Sequence, residues 1–209
     1  MSTKNIPTVA VITGDIINSR AKKDSKDWLE PLKKGLATLG ESPRQWQVYR
    51  GDSFQLRLDK PEYALDIAVW LKAVVRSTKG LDVRMAVGIG DMTHKADSIL
   101  ESNGSAFVNS GDLFDSLKKR TLAIKTPWDE VDELLNLNLK LALLTMDGWS
   151  VTVAEVVRAS MQMSNATQTE IAEMLGVTQS RVSERQNRSG FDAIMEMLAF
   201  SQKLIKKHL

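Results

Sequence analysis

Two aspartates follow glycines at the ends of apolar phrases, Asp15 in "VITGDIINSR" and Asp52 in "YRGDSFQLRL". If the fold brings them together, their carboxylates can hold a divalent cation such as Mg²⁺ or Mn²⁺ through oxygen ligands. Metal held there could clamp the phosphates of a nucleotide for in-line displacement. The backbone at Ile16, leading through Ile17 to Asn18, would then offer groups to the phosphates. Arg50, beside the second glycine, is either a phosphate ligand or an edge-facing strand residue. The plainer alternative is that both aspartates are turn residues, since Asp after Gly is common in tight turns and can bond its own backbone.

A second group of candidates lies near the C-terminus, in "TQTEIAEMLGVTQSRVSERQNR" (167–188). Thr167 followed by Glu170 is a capping box and starts a helix. Ile171, Ala172 and Leu175 share its inner face, Gly176 permits a sharp turn and Val177 plugs the corner. Thr178 caps a second helix from which Val182 points back at the first. These spacings are those of a helix-turn-helix, whose second helix enters the major groove of double-stranded DNA. Thr178, Gln179, Ser180, Arg181, Ser183 and Arg185 are the candidate DNA contacts. Gln179 and Arg181 have the donors to read base edges, and the others suit phosphates. The pattern departs from the usual one at Arg185 and Gln186, where an apolar anchor is missing. One such unit binds weakly, so a homodimer is expected.

The elements that must position these residues can be read from periodicity. "IPTVAVITG" (6–14) reads as a strand buried on both faces, and "SKDWLEPLKKGLATLG" (25–40) as a helix with Trp28, Leu29, Leu32, Leu36 and Leu39 on one face. "WQVYRGDSFQLRLD" alternates on either side of Gly51, predicting a hairpin. Pro61 opens a helix that Gly80 ends, "LDVRMAVGIG" (81–90) returns to strand, "SAFVNSGDLFDSLKK" (105–119) is helical in its second half, and "TLAIKT" (121–126) is a short strand. The order β-α-β-β-α-β is the split βαβ arrangement of a ferredoxin-like, or palm, domain. The expected class is α+β, with a palm over 1–127, a leucine-rich connecting helix over 128–150 that packs on another element or another subunit, and an all-α helix-turn-helix domain over 151–209.

Composition sets limits. The chain has 209 residues, 43% of them apolar, and a net charge of only +2, so bulk charge points to no partner. It has no cysteine, and its longest apolar runs, such as "LALLTM" (141–146), fall well short of the roughly 20 residues a membrane span needs. A cytoplasmic protein with no membrane partner is expected. His94 and His208 are the only histidines, too few for a zinc site or a catalytic triad. "VGIG" lacks the spacing of a dinucleotide fingerprint and the lysine of a P-loop.

On "ITGDIINSR", "RGDSFQL", "RMAVGIG", "SGDLFD" and "TQTEIAEMLGVTQSRVS", in that order, the whole chain resembles the SatD family. Its N-terminal part is in turn similar to class III nucleotidyl cyclases and diguanylate-cyclase palms. That resemblance implies metal ligation by Asp15 and Asp52, and a ribose-orienting role for Asn109 in "GSAFVN". Two departures count against cyclase chemistry. Leu113 stands where cyclases carry an arginine four residues after that asparagine, and no lysine precedes Gly51 to select a purine. Since phosphoryl transfer rests on positioning and electrostatics, the missing charge disfavours a competent enzyme and leaves no catalytic residue to name. Two readings follow. One is a DNA-binding regulator whose palm binds a nucleotide or dimerises; the other is a metal-dependent nucleotidyl cyclase or nucleotidyltransferase that uses its C-terminal helices for targeting.

Overall fold

The computed structural model describes residues 6–19 and 26–209, with α1 described at side-chain level from Leu29 onward. It is an α+β fold. Strands β1 (Thr8–Ile17), β2 (Trp46–Tyr49), β3 (Ser53–Leu58), β4 (Asp82–Asp91) and β5 (Leu122–Lys125) form one sheet in the order β2-β3-β1-β4-β5. Each neighbouring pair among the first four strands is antiparallel, and β5 joins β4 in parallel. Among the described residues the helices are α1 (Lys26–Ala37), α2 (Ala64–Arg76), α3 (Ser105–Ser116), α4 (Asp129–Met146), α5 (Val151–Gln162), α6 (Gln168–Leu175), α7 (Gln179–Ser189) and α8 (Phe191–His208). None is long and apolar enough to cross a membrane.

Alternation along the strands sorts the two faces. Ala10, Ile12 and Ile16 of β1 join Phe54, Leu56, Val83, Met85, Val87 and Ile89 in the main hydrophobic cluster. That cluster continues through Leu65 and Val69 of α2 and Leu135 of α4 to Val153 of α5 and Leu198 of α8. The opposite face carries Val9 and Val11 against Ala106 and Phe107 of α3. There Thr13 and Ser110 share a buried hydrogen bond of 3.0 Å between hydroxyls. Asp15 belongs to this second face by the same alternation.

Several boundaries differ from those expected. Strand β1 does not stop at Gly14: its ladder with β4 runs on to Ile17 opposite Asp82, so Asp15 sits inside a strand, paired with Ser53 on one side and Arg84 on the other. Helix α3 is helical from Ser105 rather than in its second half only. The reason lies in "VGIG". A Cβ at Gly88 would fall 2.3 Å from the Ala106 carbonyl and from the Ser110 amide, and one at Gly90 would fall 2.5 Å from the Ser105 hydroxyl. These glycines let the first turns of α3 lie directly on the sheet. Pro61 opens a short 3₁₀ turn, Pro61–Tyr63, ahead of α2, and α2 ends at Arg76, before Gly80.

Helix α4 buries Val131, Leu135, Leu139, Leu143 and Met146. Asn136 on the same helix donates to the Ile124 carbonyl at 2.8 Å and accepts from its amide at 3.0 Å, closing the free edge of β5. A buried ion network fastens the sheet to the C-terminal helices. Lys72 is fully buried, with its ammonium 2.9 Å from Asp82, 2.7 Å from Asp147 and 3.1 Å from the Thr121 hydroxyl. Arg76 bridges Asp82 at 2.6 Å and donates to the Trp149 carbonyl at 2.6 Å, while the Trp149 indole donates to the carbonyl of Ser189, the last residue of α7. Full pairing is what allows an ammonium to remain buried.

Candidate functional site

The hairpin tip explains the second Gly-Asp. Tyr49 pairs with Ser53, so Arg50, Gly51 and Asp52 form the loop, with φ of +52° at Arg50 and +88° at Gly51. Glycine takes that conformation without strain. The first Gly-Asp is glycine for a different reason: a Cβ at Gly14 would lie 2.6 Å from the Phe54 ring and 2.9 Å from the Arg84 carbonyl. The Ile16 amide donates to the Asp52 carbonyl at 3.1 Å, tying the loop to β1.

The two aspartates therefore border one hollow of about 580 Å³, together with Ile16, Ile17, Asn18, Ser19, Arg84, Lys118, Lys119 and Thr121. Within it both carboxylates are already engaged. Arg84 grips Asp15 in bidentate fashion, with Nε 3.0 Å from Oδ1 and Nη2 2.6 Å from Oδ2. This hydrogen bonding raises the already high pKa of Arg84, and the guanidinium also lies 5.2 Å from the centre of the Phe114 ring. Asp52 accepts from the Ser19 hydroxyl at 2.6 Å. Among the described residues, no group of three or more His, Cys, Asp or Glu side chains converges for a metal ion. Arg84, Lys118 and Lys119 outnumber the two aspartates, so the hollow suits an anion better than a bare cation.

Of the residues expected to meet a nucleotide, Ile16 and Asn18 border this hollow, whereas Arg50 and Asn109 do not. Arg50 is exposed at the hairpin tip, and the Asn109 side chain donates to the Ile89 carbonyl at 2.8 Å, pinning α3 to β4. Leu113 packs beside Ala86, Leu117 and Ala123. Sequence reading missed Arg84, Ser19, Lys118 and Lys119. The one available signal was Arg84 itself, a charge on a strand that otherwise reads as buried.

At the other end of the chain, Thr167 and Glu170 form the expected capping box, and bonding from Thr167 holds the Glu170 carboxyl below its ordinary pKa. Helix α6 ends at Gly176, φ +64°, and Thr178 caps α7 by accepting from the Arg181 amide. Ile171, Ala172 and Val182 are buried with Val156 and Ala159 of α5, so three helices share a small core. Where an apolar anchor was missing, Gln186 supplies polar ones: its side chain donates to the Ser160 hydroxyl at 2.9 Å and accepts from Gln168 at 2.7 Å. Gln168 in turn accepts from Gln179 at 2.6 Å.

Thr178, Gln179, Ser180 and Arg181 are exposed at the start of α7, and Ser183 and Arg185 are half-buried along it. Arg188 pairs with Glu184 at 3.6 Å. Arg181 and Arg185 have no ion pair among the described residues. No protein-family model matches the chain, and no curated protein matches it.

Proposed function

We propose that the protein is a DNA-binding regulator of SatD type. In this reading α6 and α7 are a helix-turn-helix, and α7 enters the major groove with Gln179, Ser180 and Arg181 foremost. The observation that carries it is the start of α7: a capped helix end, held by a small core behind it, that presents three exposed polar side chains with a guanidinium unclaimed by any carboxylate among the described residues. Arg181 reads a base edge, and Arg185 and Ser183 contact phosphates.

The strand order β2-β3-β1-β4, antiparallel throughout, supports a ferredoxin-like palm extended by β5. Its hollow takes the phosphates of a nucleotide effector through Arg84, Lys118 and Lys119. Mg²⁺ or Mn²⁺ enters as the companion of that nucleotide, with Asp52 as its first ligand and Asp15 available once Arg84 lets go. The enzymatic alternative rests on the pair Asp15 and Asp52 and on the resemblance.

A second copy docks on α4. Leu134, Leu137, Leu141 and Leu144 stand 3, 4 and 3 residues apart on the face opposite the buried one, and Leu144 is 81% exposed. That spacing matches a short stretch of coiled-coil seam, which a second copy of the same helix complements. In a parallel pair Glu133 faces Asn138 and Lys140 faces Thr145, with no like charges opposed.

Fluorescence anisotropy on a labelled random duplex at low salt tests the DNA reading. Binding that weakens in Arg181→Ala is the expected result. Absence of binding, or an unchanged affinity in the variant, overturns it.

A further inference from the structure

A second cavity, of about 620 Å³, lies where α2 and the residues just after α1 meet α5 to α8, and it shares no lining residue with the hollow at the strand ends. Its volume is within the range that holds small organic ligands. Trp70, Met161, Phe191 and Met195 supply apolar and aromatic wall, and Gln186 of α7 reaches its lining. Aromatic faces and methionine thioethers adapt to flat ring systems.

Two of the lining residues also keep a polar atom unmet beneath the surface. Asp66 and Trp70 sit on α2 four residues apart, hence on one helix face. Gln202 of α8 donates to Asp66 Oδ1 at 2.6 Å, but among the described residues Asp66 Oδ2 is buried without a partner, and so is the indole Nε1 of Trp70. Each such atom destabilises the fold while it stays unsatisfied. Asp66 has no ion pair among the described residues, and burial pushes its carboxyl above the ordinary carboxylate range. Both unpaired atoms lie behind the lining, so an occupant reaches them by displacing a side chain.

We infer that this cavity is a binding site for a small aromatic amine, whose ring lies against Trp70 and the methionines and whose ammonium pairs with Asp66. Its occupant touches Gln186, the residue that joins α7 to Ser160 and Gln168. The site stands on its own lining and holds whether or not α7 reads DNA.

The test titrates the full chain with 2-naphthylmethylamine and, separately, with the neutral 2-naphthylmethanol. The readout is the indole ¹⁵N–¹H resonance of Trp70, assigned by its loss in Trp70→Phe. Saturable movement of that resonance by the amine is expected. Asp66→Asn, which keeps the shape and the Gln202 contact, should weaken the amine roughly tenfold, as loss of a charge-assisted bond implies, and leave the alcohol within about twofold. Met161→Trp, which fills the cavity, should abolish both. No movement with either probe overturns the inference, as does equal affinity of wild type and Asp66→Asn for the amine. Because Asp66→Asn is isosteric, the result stands even if Met161→Trp fails to fold.

Discussion

The hollow at the strand ends and the start of α7 both display arginine, and they use it in opposite ways. Arg84 is spent inside the molecule, clamped on Asp15 through two hydrogen bonds and lying near Phe114. Arg181 is exposed, has no ion pair among the described residues, and emerges from a helix end that its own caps and core hold still. A group engaged within the fold must break a contact before it can bind anything else. An unclaimed one on a capped helix has no internal contact to break and gives up only its own rotamer freedom on binding. In the proposed reading α7 is therefore the ready contact surface, and the hollow has a conditional role, open to a ligand that can compete for Arg84.

The largest effect that would separate the two regions is on DNA affinity. Arg181→Ala should weaken binding to a preferred site by about 1–3 kcal/mol, roughly 5- to 150-fold, while Arg84→Met leaves it within about twofold. Comparable losses in both variants would erase the distinction. Next is stability at the two Gly-Asp phrases. Gly14→Ala should cost about 2 kcal/mol in urea denaturation, because its methyl group would overlap the Phe54 ring and the Arg84 carbonyl; Gly51→Ala, with no atom of the described residues within 4 Å but a φ of +88°, should cost about 1 kcal/mol. A reversed order would mean that β1 does not pack there as described.

Arg84→Met should then raise the affinity for Mn²⁺ by roughly tenfold in titration calorimetry, since it leaves Asp15 unpaired. An unchanged affinity would show that Arg84 does not govern access to the carboxylate. A smaller effect is expected for Thr167→Ala, which removes the N-cap of α6 and should lower stability by about 1 kcal/mol without altering the hollow's ion binding.

The last effect is one of pH. The Asp66 carboxyl is raised in the folded protein, so the native state binds that proton more tightly than the unfolded chain. Its contribution to stability is full below the unfolded pKa and fades as pH climbs through the folded one. Asp66→Asn should accordingly raise the melting temperature near neutral pH, by an amount that shrinks as the pH falls through the carboxylate range. A gain independent of pH would contradict the burial of this group.

The difference between the regions also explains what could be read from the sequence. Residues 167–188 were legible because their determinants are local: Thr167 and Glu170 cap each other within one turn, Gly176 supplies the αL stop, and Ile171, Ala172 and Val182 lie within a dozen positions. What stayed hidden there was the tertiary substitute for an apolar anchor, since nothing near Gln186 announces Ser160 as its partner. In the hollow, Asp15 and Asp52 were visible as a repeated dipeptide, but Arg84 comes from a strand 69 positions along the chain, and only the β1–β4 register places it opposite Asp15. Reading Gly14-Asp15 as a strand end missed that the same register carries β1 on to Ile17. The role of Gly88 and Gly90 was likewise hidden, because it depends on how closely α3 lies on the sheet. The cavity beside Asp66 and Trp70 had no sequence signature, as its walls come from five or more separate elements.

The most direct test of the account is selection of binding sites from randomised duplex DNA by the wild-type chain and by Arg181→Ala. The account predicts an enriched sequence of two repeated half-sites, as a dimer reading the major groove requires, with the variant losing preference at one base position in each half. No enrichment over the starting pool, or the same enriched sequence with Arg181→Ala, would contradict it.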